Sequence, residues 1–210
     1  MKTLMAMILA CLFSANIYAQ TKLTETQQEQ IIAKIDKAAS KMTSLQCEFT
    51  QTKTMKMLSK NMESEGVMYF KRMNKLRWEF KSPYTYTFVM NGDKVSMKSA
   101  KSAQNIDVKR NKIFRQITDI IINCITGEGL KNDNYFQLEM YESNNQYFAR
   151  LYPKKKELKQ IYKSVELHFN PELTMVSSVK MEEKTGDVTL IKMNNTKTNV
   201  PINENLFAVN

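Results

Sequence analysis

The chain has 210 residues and is basic, with 31 lysines and arginines against 21 aspartates and glutamates and a formal charge of +10. One histidine, three cysteines and five glycines leave few of the groups from which metal centres, acid–base pairs or phosphate-cradling loops are built. No HExxH, P-loop, GxSxG or dinucleotide-binding fingerprint occurs, which argues against the common hydrolase, nucleotide-binding and dehydrogenase classes.

Residues 1–19 have the order of a secretory signal: Lys2, an apolar run from Leu4 to Phe13, then small and polar residues to Ala19, with the cut placed between Ala19 and Gln20. Ile17, three positions before that cut, is bulkier than the usual small residue. The apolar run is far below the ~20 residues that a spanning helix needs, so a cleaved signal is the better reading than an anchor. A lipoprotein cut at Cys11 would leave a very short apolar stretch behind bulky Leu9, and Cys11 is therefore assigned to the discarded peptide. Cleavage removes only Lys2 among the charged residues and lowers the formal charge by one, to +9. Residues 20–210 then suit a single domain with one substantial core. Secretion argues against a nucleic-acid partner. The basic run Lys154-Lys155-Lys156, after Pro153, reads as a solvated hairpin loop. Cys47 and Cys124 fit no metal spacing. Both lie on apolar faces, as small buried hydrophobes do, although an oxidising compartment permits a disulfide.

In chain order, Thr24 to Met42 is an amphipathic helix. Thr24 and Gln27 have capping-box spacing, and Ile31, Ile32, Ile35, Ala38, Ala39 and Met42 form one apolar stripe. The period then falls to two. Leu45, Cys47 and Phe49 alternate with polar residues; Met68, Phe70 and Arg72 share one parity; Leu76, Trp78 and Phe80 share another; Tyr84 to Met90 resumes after Pro83. Asn91-Gly92 is a strong hairpin signal before Val95 and Met97. A second helix is predicted over Ile113, Phe114, Ile117, Ile120, Ile121, Cys124 and Ile125, with Gly127 able to end it. Then Tyr135–Tyr141 with Gln146–Tyr152, Leu158–Phe169, and Leu173–Glu183 with Asp187–Asn195 read as further antiparallel strands, followed by a short segment from Pro201 to Val209. His168, between Leu167 and Phe169, reads as a structural strand histidine. Glu182 and Glu183 point to opposite faces and cannot act on one atom. Nothing in this pattern assembles an enzyme site, a cofactor site or a metal site.

The chain is instead rich in methionine, fifteen in all. Methionine is flexible and recurs on adaptable binding surfaces, although it also fills gaps in irregular cores. A long meander has one apolar face to cover, and only two helices are available for it. A strongly curved antiparallel sheet with helices over its mouth, of the α+β class, leaves room for an apolar cleft.

Several segments resemble the outer-membrane lipoprotein carrier (LolA) family: Ser44-Leu45-Gln46-Cys47-Glu48-Phe49-Thr50-Gln51, Gly66-Val67-Met68-Tyr69-Phe70-Lys71-Arg72, Leu76-Arg77-Trp78-Glu79-Phe80 with Pro83, the turn at Asn91-Gly92, Tyr152-Pro153-Lys154 with Leu158-Lys159-Gln160, and Phe207. The resemblance implies a half-barrel closed by helices and a cargo of lipoprotein acyl chains. It implies a periplasmic shuttle, loaded by an inner-membrane ABC transporter and unloaded to an outer-membrane acceptor. No cofactor and no catalysis are implied, and the protein is taken as a monomer. The cleft residues are expected to be Phe49, Met68, Phe70, Trp78, Phe80, Phe88 and Met97, with Ile117, Ile120 and Ile121 as a lid. In the family an arginine after the second strand holds the lid closed; here that role maps to Arg72, whose fork can satisfy several carbonyls. The family's usual next residue, proline, is Met73 here. Two other readings are a carrier of a different lipid or glycolipid and a non-catalytic periplasmic sensor or scaffold.

Overall fold

Thr24 decides where the first helix begins. Its hydroxyl accepts from the Gln27 amide, and the Gln27 side chain accepts from the Thr24 amide at 3.0 Å, which completes the capping box. Helix α1 (Glu25–Lys41) buries Ile31, Ile32, Ile35 and Ala39, the predicted stripe. The computed structural model describes residues 20–58, 60–107, 120–127, 130 and 134–209. The signal segment and Ile117 lie outside them.

The strands are β1 (Thr21–Lys22), β2 (Ser44–Met55), β3 (Lys60–Lys71), β4 (Lys75–Ser82), β5 (Tyr86–Asn91), β6 (Lys94–Ser99), β7 (Ala103–Asp107), β8 (Phe136–Ser143), β9 (Gln146–Pro153), β10 (Tyr162–Phe169), β11 (Val176–Glu183) and β12 (Val188–Thr198). Residues 120–126 form helix α2, and Lys156–Ile161 form helix α3. Among the described residues the strands make one 12-stranded antiparallel sheet, in the order β1-β8-β9-β10-β11-β12-β2-β3-β4-β5-β6-β7. The sheet does not close: β1 and β7 are its two edges. This is an α+β, half-barrel-like fold.

Helix α1 is tied to this sheet at both ends. Near its start, the Leu23 amide donates to the Met140 carbonyl of β8 at 2.9 Å, and the Met140 amide donates to the Gln28 side chain at 3.0 Å. At its end, Arg72 after β3 bonds its carbonyls. The helix thus runs over the strip of strands from β8 to β3. Its 17 residues span about 26 Å, whereas the outer strands of that strip would lie about 29 Å apart in a flat sheet. A sheet curled around the helix fits both lengths.

The core lies between α1, α2 and the inner face of the sheet, with Ile35, Leu45, Phe49, Met68, Leu76, Met90, Ile125, Met140, Leu167 and Phe169 almost wholly buried. A smaller cluster covers the outer face. There the C-terminal segment lays Ile202 and Phe207 on Val89 and Tyr69. Asn91 donates to the Phe207 carbonyl at 3.1 Å, and Glu204 pairs with Lys71 and Lys75.

Some expectations change on contact with the structure. Leu158 to Phe169 is not one strand, because Lys156–Ile161 coil into α3 and β10 starts at Tyr162. The run Lys-Glu-Leu-Lys-Gln is made of good helix formers, and this local preference wins where no neighbouring strand competes. The basic run still sits in the β9–β10 connection, with Lys156 opening α3. Strands β1 and β7, at the sheet edges, carry almost no apolar alternation and are not anticipated by sequence. The β5–β6 turn places Gly92 at φ +59 after Asn91, as a type II′ hairpin requires. In the β3–β4 turn Met73 and Asn74 have φ +68 and +57. Proline, fixed near −65°, cannot take that conformation, which accounts for the departure at Met73 from the family pattern.

On the outer face of β8–β11, Phe148 stacks between Tyr141 and His168, with ring centroids 5.2 and 4.9 Å away. His168 is therefore a packing residue. Glu166 beside it is buried and accepts from Arg150 at 2.8 and 2.9 Å. The hydrogen bond with His168 and the charges of Lys180 and Arg150 hold its carboxyl at about 2, against the opposing effect of burial. A carboxylate held below its unfolded value stabilises the fold above that value, and the contribution disappears as pH falls through 4.5 towards about 2. Urea unfolding from pH 6 to 2 should lose about 3 kcal/mol through this group. Glu166→Gln should be less stable at neutral pH and flatter across the acid limb.

Candidate functional site

Opposite positions on paired strands point to the same side of a sheet, so register decides which residues share a face. One row runs Cys47, Met68, Trp78, Phe88, Met97; the next runs Leu45, Phe70, Leu76, Met90, Val95, Ile106; a third runs Met193, Phe49, Gly66, Phe80, Tyr86. All three lie on the face turned toward α1. Phe49 packs its ring 4.7 Å from Trp78 and 5.1 Å from Phe80. Phe80 continues to Tyr84 at 5.6 Å and Tyr86 at 6.3 Å, so an aromatic ladder leads from the core to the half-exposed Tyr84.

The predicted cleft residues are thus brought together on one face. Phe49, Met68 and Phe70 are fully buried within the core, while Trp78, Phe80, Phe88 and Met97 are partly buried against it. Sequence reasoning left Leu45, Cys47, Leu76, Met90 and Val95 out of the cleft, although their parity places them there. Of the predicted lid, Ile120 and Ile121 in α2 pack against this core, and Ile117 lies outside the described residues. Gly127 ends α2 at φ +73, with its amide donating to the Asn123 carbonyl at 2.8 Å. A Cβ there would stand 3.1 Å from Ile35 and 3.2 Å from Phe169, so glycine also lets α2 approach α1 and β10.

Arg72 donates through Nε to the Met42 carbonyl and through Nη2 to the Ala39 carbonyl, both at 2.6 Å. Its backbone amide donates to the Thr43 carbonyl at 2.9 Å. These bonds hold the last turn of α1, the first of the two helices over the apolar face. Cys47 is a buried free thiol, and burial pushes it up to about 12. No group of three or more metal-ligating side chains occurs among the described residues.

A cavity of about 640 Å³ opens beside this face, between the start of α1 and β8. Ile32, Leu130, Phe136 and Leu138 give it an apolar side, and Glu25, Gln28, Glu29, Asn134, Gln137 and Lys154 a polar rim. None of the predicted cleft residues lines it, because side chains of the core fill the face they share.

The described residues thus form an apolar inner face, covered by two helices, on an open antiparallel sheet. The sequence profile of the family described as "Outer membrane lipoprotein carrier protein LolA" matches residues 40–210. The chain belongs to the LolA family. A protein of Methylococcus capsulatus (strain Bath) named outer-membrane lipoprotein carrier protein is 24% identical over 182 residues, covering 87% of this chain and 82% of that protein. One of the same name from Chromohalobacter salexigens is 25% identical over 146 residues, covering 70% and 66%. Among solved structures, an uncharacterized conserved protein of Thermus thermophilus superposes with a TM-score of 0.51 at 12% identity, covering 86% and 92%, and so shares the fold. The LolA match spans Arg72, the whole inner face and α2. Among the described residues no helix is long and apolar enough to cross a membrane.

Proposed function

We propose that this LolA-family protein is a periplasmic carrier that takes acylated lipoproteins from an inner-membrane ABC transporter and delivers them to an outer-membrane acceptor. The observation that carries this reading is the continuous apolar inner face, from Cys47 to Met97 across the strands, covered by helices and not by a second sheet. Each methylene hidden from water is worth ~0.8 kcal/mol, so exposing several long acyl chains would cost tens of kcal/mol. A carrier has to hide them, yet release them to a membrane that offers equal shelter.

The filled face meets both needs. Incoming chains displace the carrier's own side chains, so binding gains only the difference between two apolar environments. Phe49, Met68, Phe70, Trp78, Phe80, Phe88 and Met97 form the acyl surface. Ile120 and Ile121 of α2 plug it when empty, and Arg72 latches the other covering helix, α1, by its last turn. Methionines suit such a surface, because they repack around chains of different shape.

Trp78 is the chain's single tryptophan and belongs to this surface, so its emission reports on filling. Titration with a triacylated lipopeptide should shift that emission to the blue and saturate at one peptide per protein. Native mass spectrometry of the protein purified from its own cells should show the same stoichiometry. Bound phospholipid or glycolipid, with no response to the lipopeptide, would change the cargo and keep the carrier. No uptake of any acylated molecule would leave the sensor or scaffold reading.

A further inference from the structure

The two ends of the sheet are built from different residues. At one end the turns include Met73-Asn74, Gly92-Asp93 and Asn144-Asn145; there Lys71 and Lys75 pair with Glu204, and Lys94 and Lys197 are exposed but scattered on separate strands. At the other end, beside the β4–β5 and β6–β7 turns, lie the β2–β3 turn, the β11–β12 turn and α3. The β2–β3 turn, the β11–β12 turn and α3 are tied into one platform. The Lys56 amide donates to Asp187 at 3.0 Å, and the Lys184 amide donates to the Ile161 carbonyl at 2.9 Å. Lys53 pairs with Glu183 at 2.9 Å.

This platform presents cations and apolar side chains together. Lys56, Lys60, Lys155, Lys156, Lys159 and Lys184 are all exposed and make no ion pair with any described residue. Of the nearby acids, Glu182 pairs with Lys163, Glu183 with Lys53 and Asp187 with the Lys56 amide, while Glu63 and Glu157 are exposed, so the cations outnumber the acids left without a partner. Among these lysines Met57 is 89% exposed, Ile161 52% and Met62 42%. The β2–β3 hairpin, paired with β12 as far as Thr54 on one side, overhangs β4 on the other. β3 pairs with β2 from Lys60 but with β4 only from Glu65. Its tip therefore projects about 17 Å beyond the end of β4. The aromatic ladder from Phe49 through Phe80 to Tyr84 rises toward this same end.

We propose that this end of the half-barrel is a membrane-docking face, with its lysines on anionic lipid headgroups and Met57, Met62 and Ile161 entering the interface. Each basic residue held near an anionic bilayer strengthens association severalfold, and the effect is screened by salt. Large exposed apolar groups ringed by unpaired cations suit a surface that is apolar beneath a negative layer. An acidic protein would use the cations but would leave the projecting Met57 without a role. The inference rests on the platform alone and not on the cargo.

The test is co-flotation of the purified, lipid-free protein with vesicles. Equimolar phosphatidylglycerol and phosphatidylcholine vesicles should retain it at low salt and release it as salt rises. Pure phosphatidylcholine vesicles should not retain it. Met57→Asp and the pair Lys156→Glu with Lys159→Glu should each lower partitioning by about tenfold or more. Met73→Asp, at a methionine 87% exposed on the opposite end, should leave it unchanged. These positions are exposed, and unchanged circular dichroism and melting temperature would show that each variant folds. Absence of vesicle binding, equal loss in Met73→Asp, or retention only by an acidic protein column would overturn the proposal. Because the protein is tested empty, such a failure would say nothing against acyl carriage.

Discussion

Gly66→Ala is expected to destabilise the fold by about 3 kcal/mol or more, although it adds one methyl group. A Cβ at Gly66 would lie 2.0 Å from the Glu79 carbonyl oxygen and 2.7 and 2.8 Å from the Phe49 ring. The first contact is with backbone, so no side-chain rotation relieves it. Gly66 sits where β3 changes register against β4, pairing with Phe80 while Glu65 pairs with Ser82. Glycine at such a point marks a close approach of chains. Phe49 lies over the bare backbone and from there reaches Trp78 and Phe80, so moving β3 also disturbs the aromatic ladder. Gly92→Ala is the control. Gly92 has φ +59 and nothing within 4 Å of its would-be Cβ, so its cost is the left-handed backbone alone, about 1 kcal/mol. Urea unfolding of both variants separates the two causes, and equal losses would remove the steric argument. Phe49→Leu combined with Gly66→Ala should not restore stability, because the carbonyl contact remains.

The inner face was legible because parity is a strict code. Phe49, Met68, Trp78, Phe88 and Met97 each sit in a strand whose alternation is visible in one dimension, and pairing only had to align the rows. The same code extends to Leu45, Leu76 and Met90, but without pairing partners they could not be told from ordinary core. The outer part of the β2–β3 hairpin was not legible, since Gln51 to Ser64 is mostly polar and its pairing depends on partner strands and not on burial. α3 was hidden because Lys156–Ile161 runs without a break into the alternation of β10. The distinction between lined cleft and filled core was beyond the sequence as well. It depends on how deeply α1 and α2 sink into the sheet, and that is set partly by Gly127. The match of Arg72 to an arginine that holds a lid was legible only through family resemblance, whereas its acceptors, Ala39 and Met42, are the product of tertiary structure.

Replacing that arginine should separate holding from packing. Arg72→Ala removes two charge-assisted hydrogen bonds to the last turn of α1, each worth about 1.5–3 kcal/mol where the acceptors are not rehydrated. Ala39 and Met42 lie at the helix C-terminus, where a cation also offsets the helix dipole. Water can reach part of this site, so the net loss is set at about 2–3 kcal/mol. Arg72→Lys keeps the charge but not the fork that reaches both carbonyls, and should recover no more than half of it. The readout that distinguishes a latch from a generic contact is local. Hydrogen exchange should quicken in the last turn of α1, near Ala39 to Met42, while the amide of Gln27 in the capping box and that of Met140 on Gln28 stay protected. If the latch governs access to the inner face, Arg72→Ala should also take up the triacylated lipopeptide faster, as reported by Trp78 emission, and release it more slowly. On that reading the closed, empty form makes these bonds and the loaded form does not, so removing them tilts the balance toward the loaded state. Uniform acceleration of exchange through the sheet, with uptake unchanged, would reduce Arg72 to a structural arginine.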